Sequence, residues 1–297
     1  MSGTIQSLQH RIDGAADLEG VVRAMKALAA SSIGQYEKAV ASLDDYYRTV
    51  ELGLSVCLRE AEPAKAVGTG GPVGAVVFGS DQGLVGRFNE VVADLATGTL
   101  KKYPGKVHRF WAVGERVKSL LADAGTAAPE QFNVEQFSVP ASVDAITELV
   151  GRLLISIESA REKGEVVNVH VFHNRPRSGS AYEPAHRRLL PLDSVWQGRM
   201  AKMPWPGKSR PETIGNSAGA LSGFIRGYVF MLLFQACAES LNSENASRLA
   251  AMQRAEKNIK DILENLNRKF HRVRQASIDE ELFDVVSGFE ALAGRAR

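Results

Sequence analysis

A stripe of mostly apolar residues runs along the start of the chain in alternating steps of three and four. It passes through Ile5, Leu8, Ile12, Ala15, Glu19, Val22, Lys26, Ala29, Ile33, Tyr36, Val40, Leu43, Tyr47, Val50, Leu54 and Cys57. Only Glu19 and Lys26 carry charge. A heptad pattern sustained this long marks a helix that pairs with another helix along its whole length. At 1.5 Å per residue such a helix extends about 80 Å, more than a compact domain is wide, so the spacing predicts a helix that projects.

The other end of the chain behaves alike. From Ser217 to Ala293 there is no proline, and Leu249, Met252, Ile259, Leu263, Leu266, Phe270 and Val273 form a second stripe interrupted by Glu256. Leu282, Val285, Phe289 and Leu292 continue it out of phase, as a stutter would. The predicted helix reaches about 110 Å. Two long terminal helices bury their stripes most economically against each other, which predicts an antiparallel coiled coil. The longer C-terminal helix then outruns its partner, leaving Phe283, Val285, Val286, Phe289 and Leu292 as an apolar tip that calls for a partner.

Between the helices the pattern changes. Glu62-Pro63 and the Gly68–Pro72 cluster read as a break. Short apolar runs follow at Val73–Phe78, Val107–Val113, Phe132–Val139 and Val166–His173, separated by helical segments near Leu84–Tyr103, Glu115–Ala124 and Ser142–Lys163. Such alternation predicts an α/β fold with an open, mostly parallel sheet. The expected organisation is a coiled-coil helix over 1–60, a Rossmann-like α/β domain over 61–192, an irregular Pro/Trp-rich loop over 193–216 and a coiled-coil helix over 217–297.

Composition removes several function classes. Among 297 residues, 36 basic and 34 acidic side chains leave a formal charge of +2, so nothing points to nucleic acid as a partner. Cys57 and Cys237 lie far apart without a CxxC or His-rich setting, which speaks against a structural metal or a disulfide framework. The N-terminus lacks a signal-type apolar stretch, and patterned helix begins almost at Met1. The most apolar segment, Tyr228–Ala238, is about half the ~20 residues that cross a bilayer, so no direct membrane span is expected.

Three motifs could carry chemistry, and each has a plainer reading. Gly215-Asn216-Ser217-Ala218-Gly219 fits the G-x-S-x-G elbow, with Asp261 and His271 following in hydrolase order, but no strand precedes it and both partners lie on one helix. A helix start built of small residues accounts for it. Gly207-Lys208-Ser209 resembles the end of a P-loop, yet Lys202 stands where the leading glycine belongs. Gly79, Gly83 and Gly86 open a helix after a strand, as a phosphate cradle would, without the G-x-G-x-x-G spacing; close packing of a strand-to-helix turn explains them equally. His170 and His173 would point to opposite faces of a strand, which argues against shared metal ligation. No cofactor or metal is expected.

These residues together resemble a known family. Met25–Ser31 (MKALAAS), Ser80–Asn89 (SDQGLVGRFN) and above all Ser243–Leu292 are similar, in order and separation, to the gamma subunits of F-type ATP synthases. The resemblance departs at Gln82, Val85 and Arg87, where the family commonly has Arg, Cys and Gly, and in the segment 193–216. It implies a non-catalytic central shaft turning within a hexamer of alpha and beta subunits, with the epsilon subunit and a membrane rotor ring of c subunits as further partners. It also implies a peripheral position at the cytoplasmic face of a bacterial membrane. Arg274 and Gln275 match an arginine-glutamine pair that, in the family, touches loops of the catalytic subunits; Met25 and Lys26 are assigned similarly, although Met25 could simply pack the coiled coil. Two other readings remain open: a nucleotide-dependent α/β enzyme with coiled-coil arms, and a general coiled-coil scaffold.

Overall fold

The structure, a computed structural model, describes residues 2–60, 71–103, 108–124, 132–177, 180–209, 211–213 and 216–294. Two compact units are present: Ala29–Arg248, and Met1–Leu28 together with Leu249–Arg297. Helices α1 (Ser2–Ala41) and α7 (Ser217–Gly294) contribute to both.

The unit Ala29–Arg248 is built on a five-stranded sheet. Strands β1 (Val73–Phe78), β2 (His108–Val113), β3 (Phe132–Phe137) and β4 (Asn168–Arg177) are parallel; β5 (Ser180–Leu190) runs antiparallel to β4, and the order is β3-β2-β1-β4-β5. Every residue of β1 is buried, as expected for a central strand covered on both faces. On one face Ala75, Val77, Phe110, Ala112 and Phe172 meet α3 (Phe88–Leu100) and α4 (Glu115–Ala124). On the other, Val76, Phe78, Trp111, Val113 and Val171 share a core with α5 (Val143–Glu162) and the Tyr228–Leu241 stretch of α7.

The four expected strands are present with ends moved by a few residues, and Val107 falls outside the described residues. Strand β5 is not among the expected elements. Its segment SAYEPAHRRLL contains a proline and three consecutive basic or imidazole side chains, which spoil the alternation that marks a half-buried strand. As an edge strand it tolerates both, because Pro184 needs no ladder partner on its open side.

The N-terminal helix expected over 1–60 is divided. After α1, Ser42 and Leu43 form a turn, and α2 (Asp44–Glu60) resumes. The Leu43 amide bonds to the Val40 carbonyl at 3.1 Å, one residue short of helical spacing, while the Ser42 hydroxyl takes the Ala39 carbonyl at 2.8 Å. Asp44 and Asp45 then sit in the first turn of α2, where carboxylates favour a new helix start. The stripe keeps its phase through the turn: Val50, Leu54 and Cys57 are buried.

Within this unit the pairing of α1 and α2 with α7 is antiparallel. Asn242 Nδ2 donates to Glu37 Oε1 at 3.5 Å, Tyr47 lies against Tyr228 with ring centroids 5.9 Å apart, and Gly53 faces Phe224. A Cβ on Gly53 would stand 2.2 Å from the Phe224 ring, so only glycine permits this approach. The expected irregular loop 193–216 also needs correction. Its first part is helix α6 (Ser194–Ala201), whose N-terminus is capped by Asp193 accepting from the Val195 amide at 3.3 Å. Eight residues are too few for helical periodicity to show in sequence. Trp196 of α6 packs on Tyr228 at 4.6 Å, and the Arg59 guanidinium donates to the carbonyls of Ala201 and Met203.

In the unit Met1–Leu28 with Leu249–Arg297, the positions screened from water between Thr4 and Lys26 are the stripe itself plus Met25. On α7 the screened positions include Leu249, Met252, Glu256, Ile259, Leu263, Leu266, Phe270 and Val273. The two charged interruptions in the stripes answer each other: Lys26 Nζ donates to Glu256 Oε2 at 2.6 Å. That hydrogen bond, ahead of the opposing cost of burial, holds the Glu256 carboxyl below its ordinary pKa.

Gly114, between β2 and α4, has φ +112°, and a Cβ there would lie 2.8 Å from the backbone of Ser80. Main-chain atoms cannot yield as a side-chain end would. Gly114→Ala should therefore lower the unfolding free energy by about 3 kcal/mol or more, read from urea midpoints against Gly164→Ala. Gly164 also has positive φ but no atom within 4 Å of its Cβ position.

Candidate functional site

In an open α/β sheet, ligands bind beyond the carboxyl ends of the strands where strand order reverses. Here that place lies between β1 and β4, and the chain's own side chains fill it. Asn174, two residues past the stretch of β4 that pairs with β1 and fully buried, donates to the Phe88 carbonyl at 2.8 Å and accepts on its backbone carbonyl from Ser243 Oγ at 3.1 Å. Ser247 Oγ donates to the Val85 carbonyl at 2.6 Å. Helix α7 thus plugs the crevice through two hydroxyls spaced one turn apart.

The turn after β1 is equally committed. The Ser80 amide, which would face a phosphate in a nucleotide cradle, donates to Asn89 Oδ1 at 2.8 Å; Asn89 Nδ2 returns a bond to Ser80 Oγ at 2.9 Å. Asp81 accepts from the Glu115 amide at 2.9 Å and the Val139 amide at 3.0 Å. A carboxylate of the protein therefore occupies the N-terminus of α4, the position an anionic ligand would use. Gly79 serves close packing: its Cβ would lie 2.5 Å from Val117. The phosphate-cradle reading gives way to the packing one at Gly79, while Gly86 answers to its φ of +61° and a Cβ on Gly83 would meet nothing closer than 3.8 Å.

The hydrolase reading ends similarly. Asn216 accepts from the amides of Ala218 and Gly219 at 3.0 and 3.3 Å, so Ser217 opens α7 as a capped helix start, and Gly215 lies outside the described residues. His170 and His173 do face opposite ways. His170 Nδ1 meets His186 Nε2 of β5 at 2.8 Å, whereas His173 Nε2 meets Glu239 of α7 at 2.8 Å. Burial, then His186 and Arg188, pushes His170 down to about 4, and burial also lowers His186. Burial raises the Glu239 carboxyl, but bonds from His173 and Gln235 outweigh it and leave the group below its ordinary pKa.

Where α7 leaves the crevice it carries a polar run: Ser240, Asn242, Ser243, Glu244, Asn245 and Ser247 are all buried. Glu244 pairs with Arg248 at 2.6 Å, one helical turn on. Burial raises the Glu244 carboxyl while Arg248 pulls it down. Sequence reasoning assigned none of these residues a role. The available signal was the run of small polar side chains inside a helix otherwise apolar or fully charged, since buried polar groups persist only where they have partners.

The residues singled out as contact sites are more dispersed. Met25 is half-buried beside the pairing seam; Lys26 is held by Glu256; Arg274 and Gln275 are exposed on α7. Phe283, Val285 and Val286 are exposed, Phe283 by 75%. Phe289 and Leu292 belong to the same helix, but their side chains lie outside those described.

Sequence comparison finds relatives of the same length. The chain is 27% identical to the ATP synthase gamma chain of Frankia casuarinae, with 99% of each chain covered, and 25% identical to that of Dechloromonas aromatica, over 97% of this chain and 99% of the relative. The family model for ATP synthase matches residues 4–292. The chain belongs to the ATP synthase gamma-chain family. Its fold is similar to a chain in the Euglena gracilis mitochondrial ATP synthase OSCP/F1/c-ring structure, with TM-score 0.66, 14% identity and coverage of 99% of this chain and 97% of that one. A chain of the Tetrahymena thermophila central stalk/c-ring structure covers 79% of this chain and 99% of its own length, at TM-score 0.56 and 18% identity. The segment Ser80–Asn89 closes the crevice here, through Ser80, Val85, Phe88 and Asn89.

Two measurements check this chemistry. Arg248→Ala should destabilise the chain by about 3–5 kcal/mol because it leaves Glu244 buried without its cation, whereas Glu244→Leu with Arg248→Met should recover most of the loss. His170 has a folded pKa below its unfolded one, so the unfolded state binds more protons between about pH 6.5 and 4 and stability falls as pH drops through that window. His170→Gln should flatten the fall between pH 7 and 5 by on the order of 1 kcal/mol, read from denaturation midpoints.

Proposed function

We propose that this chain is the central rotor shaft of an F-type ATP synthase, coupling ion-driven rotation to ATP synthesis or hydrolysis in an alpha/beta hexamer. Membership of the gamma-chain family across residues 4–292 carries the reading. Alpha and beta subunits surround the coiled coil; the epsilon subunit and the c-subunit ring hold the α/β domain. The complex sits peripherally on the cytoplasmic face of a bacterial membrane.

The chain is non-catalytic in this reading. The closed crevice supports it, because Asn174, Ser243, Ser247 and Asp81 occupy the positions through which an α/β domain of this kind would grip a nucleotide. The shaft instead acts by being asymmetric. It presents a different face to each beta subunit, and rotation changes nucleotide affinity because those contacts favour the conformations of the three sites unequally. Arg274 and Gln275, both exposed, contact loops of the catalytic subunits, with Met25 and Lys26 contributing from α1. The apolar end formed by Phe283, Val285, Val286, Phe289 and Leu292 turns in a bearing, which gives exposed aromatic and aliphatic surface a use.

Co-expression with the alpha and beta subunits of the same organism tests the assignment. One copy should enter an alpha/beta hexamer by native mass spectrometry and change its ATPase rate; a folded chain that stays outside and changes nothing overturns it. Calorimetric titration of the isolated chain with ATP or ADP should show no saturable binding, and tight binding would favour the enzyme reading. Arg274→Ala should lower coupled ATP synthesis several-fold more than it lowers assembly.

A further inference from the structure

A second concave site lies away from the crevice, where α2, the first turns of α7 and the segment following α6 meet. It is a cleft of about 350 Å³. Leu52, Val56 and Cys57 line it from α2, Phe224 from α7, and Trp205 and Thr213 from the covering segment. The volume lies in the range of small-molecule sites, about 300–1,000 Å³. It is too small to seat a helix, which with its side chains is about 10–12 Å across.

Local chemistry explains why the cleft is open. Arg59 ties the carbonyls of Ala201 and Met203 to α2, which fixes where the chain leaves α6. Gly53 lets the Phe224 ring lie directly on α2, which sets the floor. Trp205 then stands as a wall, with Gly207 so near its indole that a Cβ there would lie 3.1 Å from Nε1. Between these fixed points no side chain of the described residues fills the space.

The lining is selective by charge. Among the described residues that line it, Glu212 is the only ionisable group besides the Cys57 thiol, and that thiol is pushed up by burial, then by Glu60. None of the described lining residues is a lysine or arginine; Arg59 nearby has its guanidinium engaged by backbone carbonyls. The Thr49 hydroxyl is spent on the Asp45 carbonyl at 2.9 Å. A carboxylate at an otherwise carbon-lined cleft repels anions and tolerates neutral or cationic guests.

We propose that this cleft is a binding site for a small, apolar, uncharged or singly cationic molecule of aromatic or short-chain type. The inference is independent of the shaft reading, since it concerns the folded chain alone. Bound there, such a molecule bridges α2, the start of α7 and the covering segment. It stabilises the folded state in proportion to its occupancy.

The folded full-length chain is titrated with N-phenyl-1-naphthylamine, which is uncharged near neutral pH, and with its anionic analogue 8-anilinonaphthalene-1-sulfonate. The uncharged probe should bind saturably at one site, accept excitation energy from Trp205, raise Tm and bind at least tenfold more tightly than the sulfonate. Trp205→Phe should retain most of the binding and lower the energy transfer, the remainder coming from Trp196, which packs on Tyr228 one turn from Phe224. Ala220→Phe, which fills the cleft from α7, should weaken binding tenfold or more. Replacing Phe283 and Val286 by serine should leave saturable probe binding to the isolated chain unchanged, which separates the cleft from the exposed apolar end of α7. Non-saturable binding, undiminished transfer in Trp205→Phe, equal affinity for the sulfonate, or loss of binding in the Phe283/Val286 variant would each overturn the proposal. If Ala220→Phe fails to fold, the Trp205→Phe and serine variants decide the location.

Discussion

The packing of α7 between Tyr228 and Leu241 is the constraint on which the Ala29–Arg248 unit depends. Tyr228, Leu232, Leu233, Phe234, Cys237 and Leu241 are buried in the same core as β1, β2, β4, α5 and α2. An 18-residue window of this helix reaches a mean hydropathy of 1.4, long and apolar enough by composition to span a bilayer. In this structure 44% of that window is buried. At about 25 cal/mol per Å² of apolar surface, a helix burying side chains in this density outweighs any single polar contact in the unit. Removing it would open the face of the sheet and the stripe of α2 together.

The same helix changes character one turn later. Between Asn242 and Ser247 its buried side chains are Ser, Asn and Glu, and their hydrogen bonds go to β4, to the turn after β1, to Glu37 of α1, or along the helix itself. Hydrogen bonds contribute about 1 kcal/mol each net, but an unmade buried one costs more. The polar run therefore fixes the rotation and position of α7 on the sheet more sharply than apolar contact could, since apolar packing is non-directional. An α/β domain that elsewhere would present a crevice to a ligand presents it to its own helix. This is how a fold suited to nucleotide binding supports a mechanical reading.

Much of the architecture was legible because it is periodic. Every residue of the stripes from Ile5 to Cys57 and from Leu249 to Val273 is screened from water in α1, α2 or α7, or, for Leu43, in the turn between α1 and α2, and β1 reads as a continuous apolar run. What escaped were elements too short or too marginal for a period to register: the turn at Ser42-Leu43, the eight-residue α6, and the edge strand β5 with its proline and basic residues. The site escaped for a different reason. Asn174, Ser243 and Ser247 are common residue types without motif spacing, and they matter only because the sheet brings residues some seventy positions apart into one hydrogen-bonded cluster.

The sequence by itself therefore determined the terminal helices, their antiparallel pairing, the parallel sheet and the family, because each is written as a repeated local pattern or an ordered set of motifs. Tertiary structure alone decided that Lys26 answers Glu256, that His170 pairs with His186 instead of His173, and that α7 occupies the crevice. These are meetings of single side chains from distant segments. Directional bonds between them form only after burial has brought their elements together, and no local pattern in the chain records which residue will stand opposite which.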